Sequence, residues 1–168
     1  MKIIMIIVCF FGFFIPISAI GQSTENLSIP AIAFHGERVI YNNSGTAAFF
    51  RTKAFAPVFL PDGARAFSFT CGARTVFGKG ITIKLRRNHP QQANVDMGVA
   101  EIPKGGDGNF KFVTVNRLTD GVIDNSRFNY YLIAETIPKS ATTGVVCNPA
   151  AGGTECLVAA CRIGFFPP

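Results

Sequence analysis

The sequence predicts an all-β protein, an antiparallel β-sandwich of jelly-roll or immunoglobulin-like topology with about eight to ten strands and two disulfides. Two observations predict this fold. Short segments alternate apolar with polar residues between turns rich in Gly, Pro, Asn and Asp, and this alternation is typical of strands with one buried face. No segment after residue 21 has the 3.6-residue period of an amphipathic helix.

The predicted fold centres on residues 55–71, where two apolar segments flank a Pro-Asp-Gly turn at residues 61–63. Pro presets φ, Asp can accept a backbone N–H, and Gly tolerates positive φ, so this triplet favours a tight turn. After the turn, Phe67, Phe69 and Cys71 alternate with small or polar residues. We therefore expect a strand whose buried face carries these three side chains.

The other elements follow in chain order. Ile81, Ile83 and Leu85 alternate with polar residues and predict the clearest half-buried strand. In residues 95–102 the parity of the apolar residues changes, which predicts a bulge or a strand end. The remaining predicted strands cover residues 31–41, 47–60 (two strands bent near Lys53), 110–115, 129–137 and 157–166.

The N-terminal segment has the features of a secretory signal peptide. Lys2 precedes an apolar run over residues 3–17, and small residues follow at Ala19 and Gly21. The run is shorter than the ~20 residues that span a bilayer, so we expect cleavage and no membrane span in the mature form. The predicted organisation is a signal peptide at 1–21, an N-terminal arm at 22–34 and a β-sandwich domain at 35–168.

Four cysteines follow the predicted leader, and in an exported chain an even number indicates disulfides. They allow three pairings, and strand parity favours one of them. Cys71 and Cys161 each share a strand face with buried apolar residues, so we expect them to pair inside the core. Cys147 and Cys156 flank a loop rich in turn residues and form the other predicted pair. Without a Cys-x-x-Cys motif, a metal site at these cysteines is not expected.

Charge and motifs exclude several function classes. The net charge is +6, but the basic residues are scattered, so we expect no nucleic-acid partner. The sequence has no Gly-x-Ser-x-Gly motif, and its two histidines, His35 and His89, lie beside turn residues. A hydrolase would need one of them in a cleft beside a carboxylate. We therefore predict that the chain is not an enzyme and needs no cofactor.

Two groups of residues are candidates for ligand binding. Asp120, Asp124 and Asn125 lie close together in one loop, and Ca²⁺ takes several oxygen ligands from such loops. Their spacing matches no Ca²⁺-loop template, and the same residues also form ordinary turns. Tyrosines could form a platform for sugar stacking, with core packing as the alternative use of the rings. The sequence contains three of them, Tyr41, Tyr130 and Tyr131.

Four segments, in order, resemble a pattern in short exported bacterial proteins of unassigned function. Residues 55–64 carry its Pro-x-x-Leu-Pro-Asp-Gly-Ala turn, residues 83–87 a strand ending in Leu-x-Arg, and residues 123–132 a Tyr-Tyr-Leu strand. The closing Cys-Arg-Ile-Gly-Phe occupies residues 161–165. The resemblance implies an extracellular β-sandwich and assigns no catalytic residue.

The leading functional hypothesis is a secreted, non-enzymatic structural or assembly protein at the cell surface. The apolar arm at residues 22–34 could add a strand to a neighbour's sheet edge, and repeated addition would build a filament by self-association. The alternative is an extracellular carbohydrate- or surface-binding module with a glycan partner. Both hypotheses place the protein outside the cell.

Overall fold

The computed structural model describes residues 23–36, 39–42, 44–50, 52–75, 80–103, 109–136 and 156–168. Within them the chain forms ten strands, one short 3-10 turn at Ala31–Ala33, and no α-helix. The strands are β1 (Glu25–Ile29), β2 (Ile40–Tyr41), β3 (Ala48–Phe49), β4 (Lys53–Val58), β5 (Arg65–Thr75), β6 (Ile81–Asn88), β7 (Val95–Ile102), β8 (Lys111–Val115), β9 (Asn129–Thr136) and β10 (Cys156–Phe166).

The strands form two sheets that pack face to face. The first has six strands in the order β2-β3-β10-β5-β8, with β1 also paired to β10. The second has four strands in the order β4-β9-β6-β7. Every strand pair is antiparallel. The predicted antiparallel sandwich is therefore confirmed.

Alternating apolar side chains fill the space between the sheets, as the sequence predicts. On β6, Ile81, Ile83 and Leu85 are at most 1% exposed. On β9, Leu132 and Ala134 are fully buried beside them. Because alternate residues of a strand point to opposite faces, Thr82 and Lys84 on β6 point to the outer side of the sheet.

Gly98 lets the two sheets approach each other closely. A Cβ atom there would lie 2.6 Å from Cδ2 of Leu118 and 2.9 Å from Cε1 of Phe69, which belongs to the other sheet. β7 also carries an extra residue here, because Leu85 pairs with Gly98 while Arg86 pairs with Asp96. The predicted irregularity in this strand is thus a bulge at Met97.

One of the predicted strands differs from the structure at its start. Among the described residues of 31–41, Ala31–Ala33 form the 3-10 turn, His35 forms an isolated bridge with Phe55, and Ile40–Tyr41 pair as a strand. The predicted long strand is therefore wrong at its start, where Pro30 precedes the turn. Residues 47–60 do form two strands, β3 and β4, as predicted.

The predicted burial of Phe67 is wrong because a bulge changes the parity of β5. Gly164 pairs with Ser68, but Phe165 pairs with Ala66, so Phe67 is an extra residue without a partner on β10. A bulge of this kind re-aims the inserted side chain. Phe69 remains fully buried, as predicted, while Phe67 is only half-buried.

Cys71 and Cys161 form the predicted disulfide between β5 and β10, with their Cα atoms 4.2 Å apart. It is the disulfide for which both cysteines lie in the described residues, and Cys156 is disulfide-bonded as well. Cys147 lies outside the described residues, and its pairing with Cys156 stays a prediction. The predicted signal peptide at residues 1–21 also lies outside them.

The N-terminal arm pairs within its own domain. Each residue of β1 has a partner on β10, from Glu25 opposite Phe165 to Ile29 opposite Cys161. The arm therefore pairs within its own sheet, and this arrangement gives the filament hypothesis no support. No helix in the described part of the chain is long and apolar enough to cross a membrane.

Candidate functional site

Four polar residues form a row across the outer face of the six-stranded sheet. Ser28 on β1 pairs with Arg162 on β10, Arg162 pairs with Thr70 on β5, and Thr70 pairs with Thr114 on β8. The hydroxyl oxygens of Thr70 and Thr114 are 2.8 Å apart. We call these four residues the polar row. Their strand neighbours on the other parity, such as Cys71 and Cys161, are buried, so the polar row faces outward.

Phe112 borders the polar row on one side, two residues from Thr114 along β8, and is 69% exposed. It lies on β8 opposite Gly72. A Cβ atom at Gly72 would lie 2.5 Å from Cε1 and 3.1 Å from Cζ of Phe112. The ring therefore packs against the sheet over the glycine, where any other residue would displace it. Its other side is open to solvent.

Phe67 borders the polar row on the opposite side, because of the bulge in β5. A Cβ atom at Gly164 would lie 2.8 Å from Cζ of Phe67, so this ring also covers a glycine. The rings of Phe67 and Phe166 are in contact, with centroids 4.8 Å apart. The polar row thus lies between two aromatic surfaces that rest directly on the sheet.

Two grooves open on this side of the molecule. One, of about 370 Å³, has walls from Ser28, Thr70, Phe112, Ala160, Cys161 and Arg162. The other, of about 460 Å³, lies where β8 has ended; its walls include Arg65, Phe67, Asn116, Arg117 and Asp120. Both volumes fall within the range of small-molecule sites, about 300–1,000 Å³.

The electrostatics of this face are positive. Arg162 in the polar row forms no ion pair with an acidic side chain of the described residues, and neither do Arg65 and Arg117. Asp120 borders the larger groove, but it accepts a hydrogen bond of 2.7 Å from Nη2 of Arg87. Guanidinium donors on this face are therefore available to a ligand.

The outer face of the four-stranded sheet is different, because its charges neutralise each other. Arg86 pairs with Asp96, and this hydrogen bond, opposed by burial and assisted by Tyr131, raises the pKa of Arg86. Glu135 accepts hydrogen bonds from Lys53 and Lys84, each at 2.9 Å. Burial alone would raise the pKa of Glu135, but these two bonds lower it.

An aromatic pair also lies on the four-stranded sheet. Phe55 on β4 is 41% exposed, and its ring centroid is 6.1 Å from that of Tyr131 on β9. The rings are tilted by 50°, so they do not form one flat surface. This pair provides a natural comparison with Phe67 and Phe112.

The structure does not bring the three predicted tyrosines together. Tyr130 and Tyr131 are adjacent on β9 and point to opposite faces. Tyr130 is only 5% exposed, burial raises its pKa, and its hydroxyl accepts the N–H of Asp124 at 2.9 Å. Tyr41 lies on β2 and donates its hydroxyl to the carbonyl of Phe34. Only Tyr131 lies on an outer face next to another aromatic ring.

The candidate calcium ligands each have a partner of their own. Asp120 binds Arg87, while Asp124 accepts hydrogen bonds from the N–H and hydroxyl of Ser126, which lower its pKa. Asn125 donates its side-chain amide to the carbonyl of Leu60 at 2.9 Å. Within the described residues, no group of three or more His, Cys, Asp or Glu side chains could hold a metal ion.

The histidines have structural partners as well. The backbone of His35 pairs with that of Phe55, and its Nδ1 lies 3.5 Å from the hydroxyl of Tyr41. Nδ1 of His89 accepts the N–H of Gln91 at 3.1 Å, and its ring contacts Phe128 edge-on. Neither contact pairs a histidine with a carboxylate, as the hydrolase hypothesis requires.

Neither a protein-family model nor a curated protein matches this chain. Among solved structures, it is similar to the CBM36-1 domain of a multidomain xylanase from the hindgut metagenome of Trinervitermes trinervoides, with 11% identity, a TM-score of 0.48, and coverage of 83% of this chain and 96% of that chain. It is also similar to CsCBM6-3 from Clostridium stercorarium, solved with cellobiose, with 12% identity, a TM-score of 0.46, and coverage of 84% and 94%.

The xylan-binding module CBM15 is a third similar structure, with 7% identity, a TM-score of 0.49, and coverage of 88% of this chain and 99% of that chain. Because the sequence identities are low and the TM-scores lie below 0.5, these similarities do not indicate what this chain binds. The features that bear on function are the polar row and the rings beside it.

Proposed function

We propose that this chain is a non-catalytic carbohydrate-binding module and that its ligand lies along the polar row. The observation that carries the proposal is the row of three hydroxyls and one guanidinium between Phe112 and Phe67. A sugar ring has an apolar C–H face, which packs on aromatic rings, and a rim of hydroxyls, which exchange hydrogen bonds with Ser, Thr and Arg side chains. The row offers both kinds of contact on a rigid sheet.

Preorganisation supports the proposal. Phe112 and Phe67 pack over Gly72 and Gly164, so little side-chain freedom remains to be lost when a ligand stacks on them. Thr70 and Thr114 already exchange a hydrogen bond, which holds their hydroxyls near the groove. A binding surface that is largely formed before the ligand arrives is typical of small-molecule sites.

The proposal includes an extracellular location and the absence of catalysis. The Cys71–Cys161 disulfide supports export, because such bonds persist mainly in oxidising compartments. The polar row itself carries no carboxylate or histidine, so it offers neither a general acid nor a general base. Asp120, at the edge of the larger groove, is held by Arg87.

A glycan array followed by calorimetry on the best ligand tests the proposal. We expect Phe112→Ala to weaken binding at least tenfold, because the variant loses the exposed stacking surface. Phe55→Ala is the matched control, since it removes an exposed ring from the other sheet, and we expect it to leave affinity within twofold. If only the control variant loses affinity, the binding site lies on the four-stranded sheet. No binding to any glycan would refute the function.

A further inference from the structure

The larger groove begins where two strands of the six-stranded sheet separate. Phe69 and Val115 are the last paired residues of β5 and β8 at this end. The chain then leaves β5 and returns to it at Gly121, whose carbonyl accepts the N–H of Ala66 at 2.8 Å. Val122 forms an isolated bridge with Arg65. The groove of about 460 Å³ occupies the gap between these two points of contact.

Two arginines give this groove a positive charge. Arg65 and Arg117 line it, both are exposed, and neither forms an ion pair within the described residues. Asp120 is the one carboxylate among the described residues that line it, and it is already paired with Arg87. The groove therefore has two guanidinium groups without a partner charge.

The groove continues the surface of the polar row. Phe67 contributes to its wall and also covers Gly164 beside the polar row. Along β5, Arg65 lies five residues before Thr70, which is roughly 16 Å at the usual rise of a strand. A ligand that contacts Arg162 in the polar row and extends across Phe67 would therefore reach Arg65 in the larger groove.

We infer that the ligand is an anionic glycan and that Arg65 and Arg117 bind its carboxylate or sulfate groups. This inference rests on the proposed function and names its ligand class. The planar guanidinium of Arg matches the two oxygens of a carboxylate or sulfate in a bidentate hydrogen-bonded pair. Cations on the opposite sheet cannot serve this role, because Lys53, Lys84 and Arg86 are each paired with an acid.

Two matched pairs of polymers test the inference on the mature protein. Polygalacturonate and its methyl ester differ in the carboxylate charge, and dextran sulfate and dextran differ in the sulfate. We expect at least tenfold tighter binding to one charged polymer than to its neutral counterpart. The pair that shows the preference identifies the anionic group. Binding should weaken as salt concentration rises, because exposed charges are screened.

Variants then locate the charge recognition. We expect the double variant Arg65→Gln, Arg117→Gln to lose at least tenfold in affinity for the charged polymer and to bind the neutral one as before. The double variant Lys53→Gln, Arg127→Gln is the matched control, because it also removes two exposed positive charges, neither from a residue that lines the groove, and it should change affinity less than twofold. Circular dichroism and the unfolding midpoint of each variant check that it is folded.

Four results would overturn the inference. Equal binding of charged and neutral polymers would exclude recognition of an anionic group, while the proposed glycan function would stand. Equal losses of affinity in the control double variant and in the Arg65, Arg117 double variant would show that the effect depends only on the net charge of the protein. Binding of double-stranded DNA as tightly as the best charged glycan would show general polyanion binding. If no glycan binds, neutral or charged, both the inference and the proposed function fail.

Discussion

Cys71 and Cys161 lie opposite each other on β5 and β10, one residue from the pair formed by Thr70 and Arg162. The disulfide on the buried face therefore fixes the two strands that hold the centre of the polar row. Cys161 also forms part of the wall of the smaller groove. Through this arrangement the bond that stabilises the core also sets the register of the surface residues.

Removing this disulfide should destabilise the domain strongly. The two cysteines are 90 residues apart in sequence, and a loop of that length corresponds to about 4–5 kcal/mol in the chain-entropy model. Urea unfolding of Cys71→Ala, Cys161→Ala measures the loss in free energy of unfolding. A loss below about 1 kcal/mol would show that the bond adds little to stability.

Substitution of Gly98 should destabilise the domain by overpacking the interface between the sheets. The added methyl group of Gly98→Ala would meet Leu118 and Phe69, and such overpacking typically costs about 1–3 kcal/mol. Val99→Thr is the control on the neighbouring residue, which is 42% exposed; its effect should stay within about 0.5 kcal/mol. Equal stabilities for the two variants would contradict the packing described at Gly98.

Gly72→Ala should weaken glycan binding while changing stability less than Gly98→Ala does. The new methyl group would displace the ring of Phe112, and because the other side of this ring is open to solvent, the displacement would leave the core packing unchanged. Calorimetry with the array-selected glycan measures the effect, and we expect a loss of at least threefold. In the Phe112→Ala background the same substitution should have no further effect on affinity, since the ring is absent; an additive loss would disprove the coupling.

The stability of the domain should depend on pH through Glu135. Hydrogen bonds from Lys53 and Lys84 lower the pKa of this carboxyl below its ordinary value of 4.5, although burial opposes them. A group with a lowered pKa in the folded state stabilises it above the unfolded pKa, and this contribution is lost as pH falls through the folded pKa.

Unfolding of the wild type and Glu135→Gln from pH 7 to pH 2 measures this contribution. We expect the wild type to be more stable at pH 7 and the difference to shrink as pH falls below 4.5. Lys53→Gln should remove part of the pH-dependent difference, because Lys84 still contacts Glu135. A difference that does not change with pH would rule out the ionised carboxyl as its source.

Much of the architecture could be predicted because strand alternation is a local property. The buried positions of β6 and β9 follow from residues two apart in sequence, and parity alone pairs Cys71 with Cys161 correctly. The bulge at Phe67 could not be predicted, because it arises from the register between β5 and β10. That single inserted residue moves the ring from the expected core to the outer face.

The candidate site was harder to predict than the fold. Ser28, Thr70, Thr114 and Arg162 come from four distant segments, and only the strand order and register align them. The sequence predicts Tyr130 and Tyr131 as possible ligand residues, yet strand alternation buries Tyr130. A weak signal was present at residues 111–115, where Phe112 and Thr114 have the parity opposite to that of the two valines.

The most direct test of the central claim is a titration of isotopically labelled mature protein with its best glycan, followed by ¹H–¹⁵N NMR. If the polar row is the binding site, the largest shift changes will fall on the amides of Thr70, Phe112, Thr114 and Arg162. The amides of Phe55 and Tyr131 will then remain unchanged. The largest changes on Phe55 and Tyr131, with none in the polar row, would contradict the account.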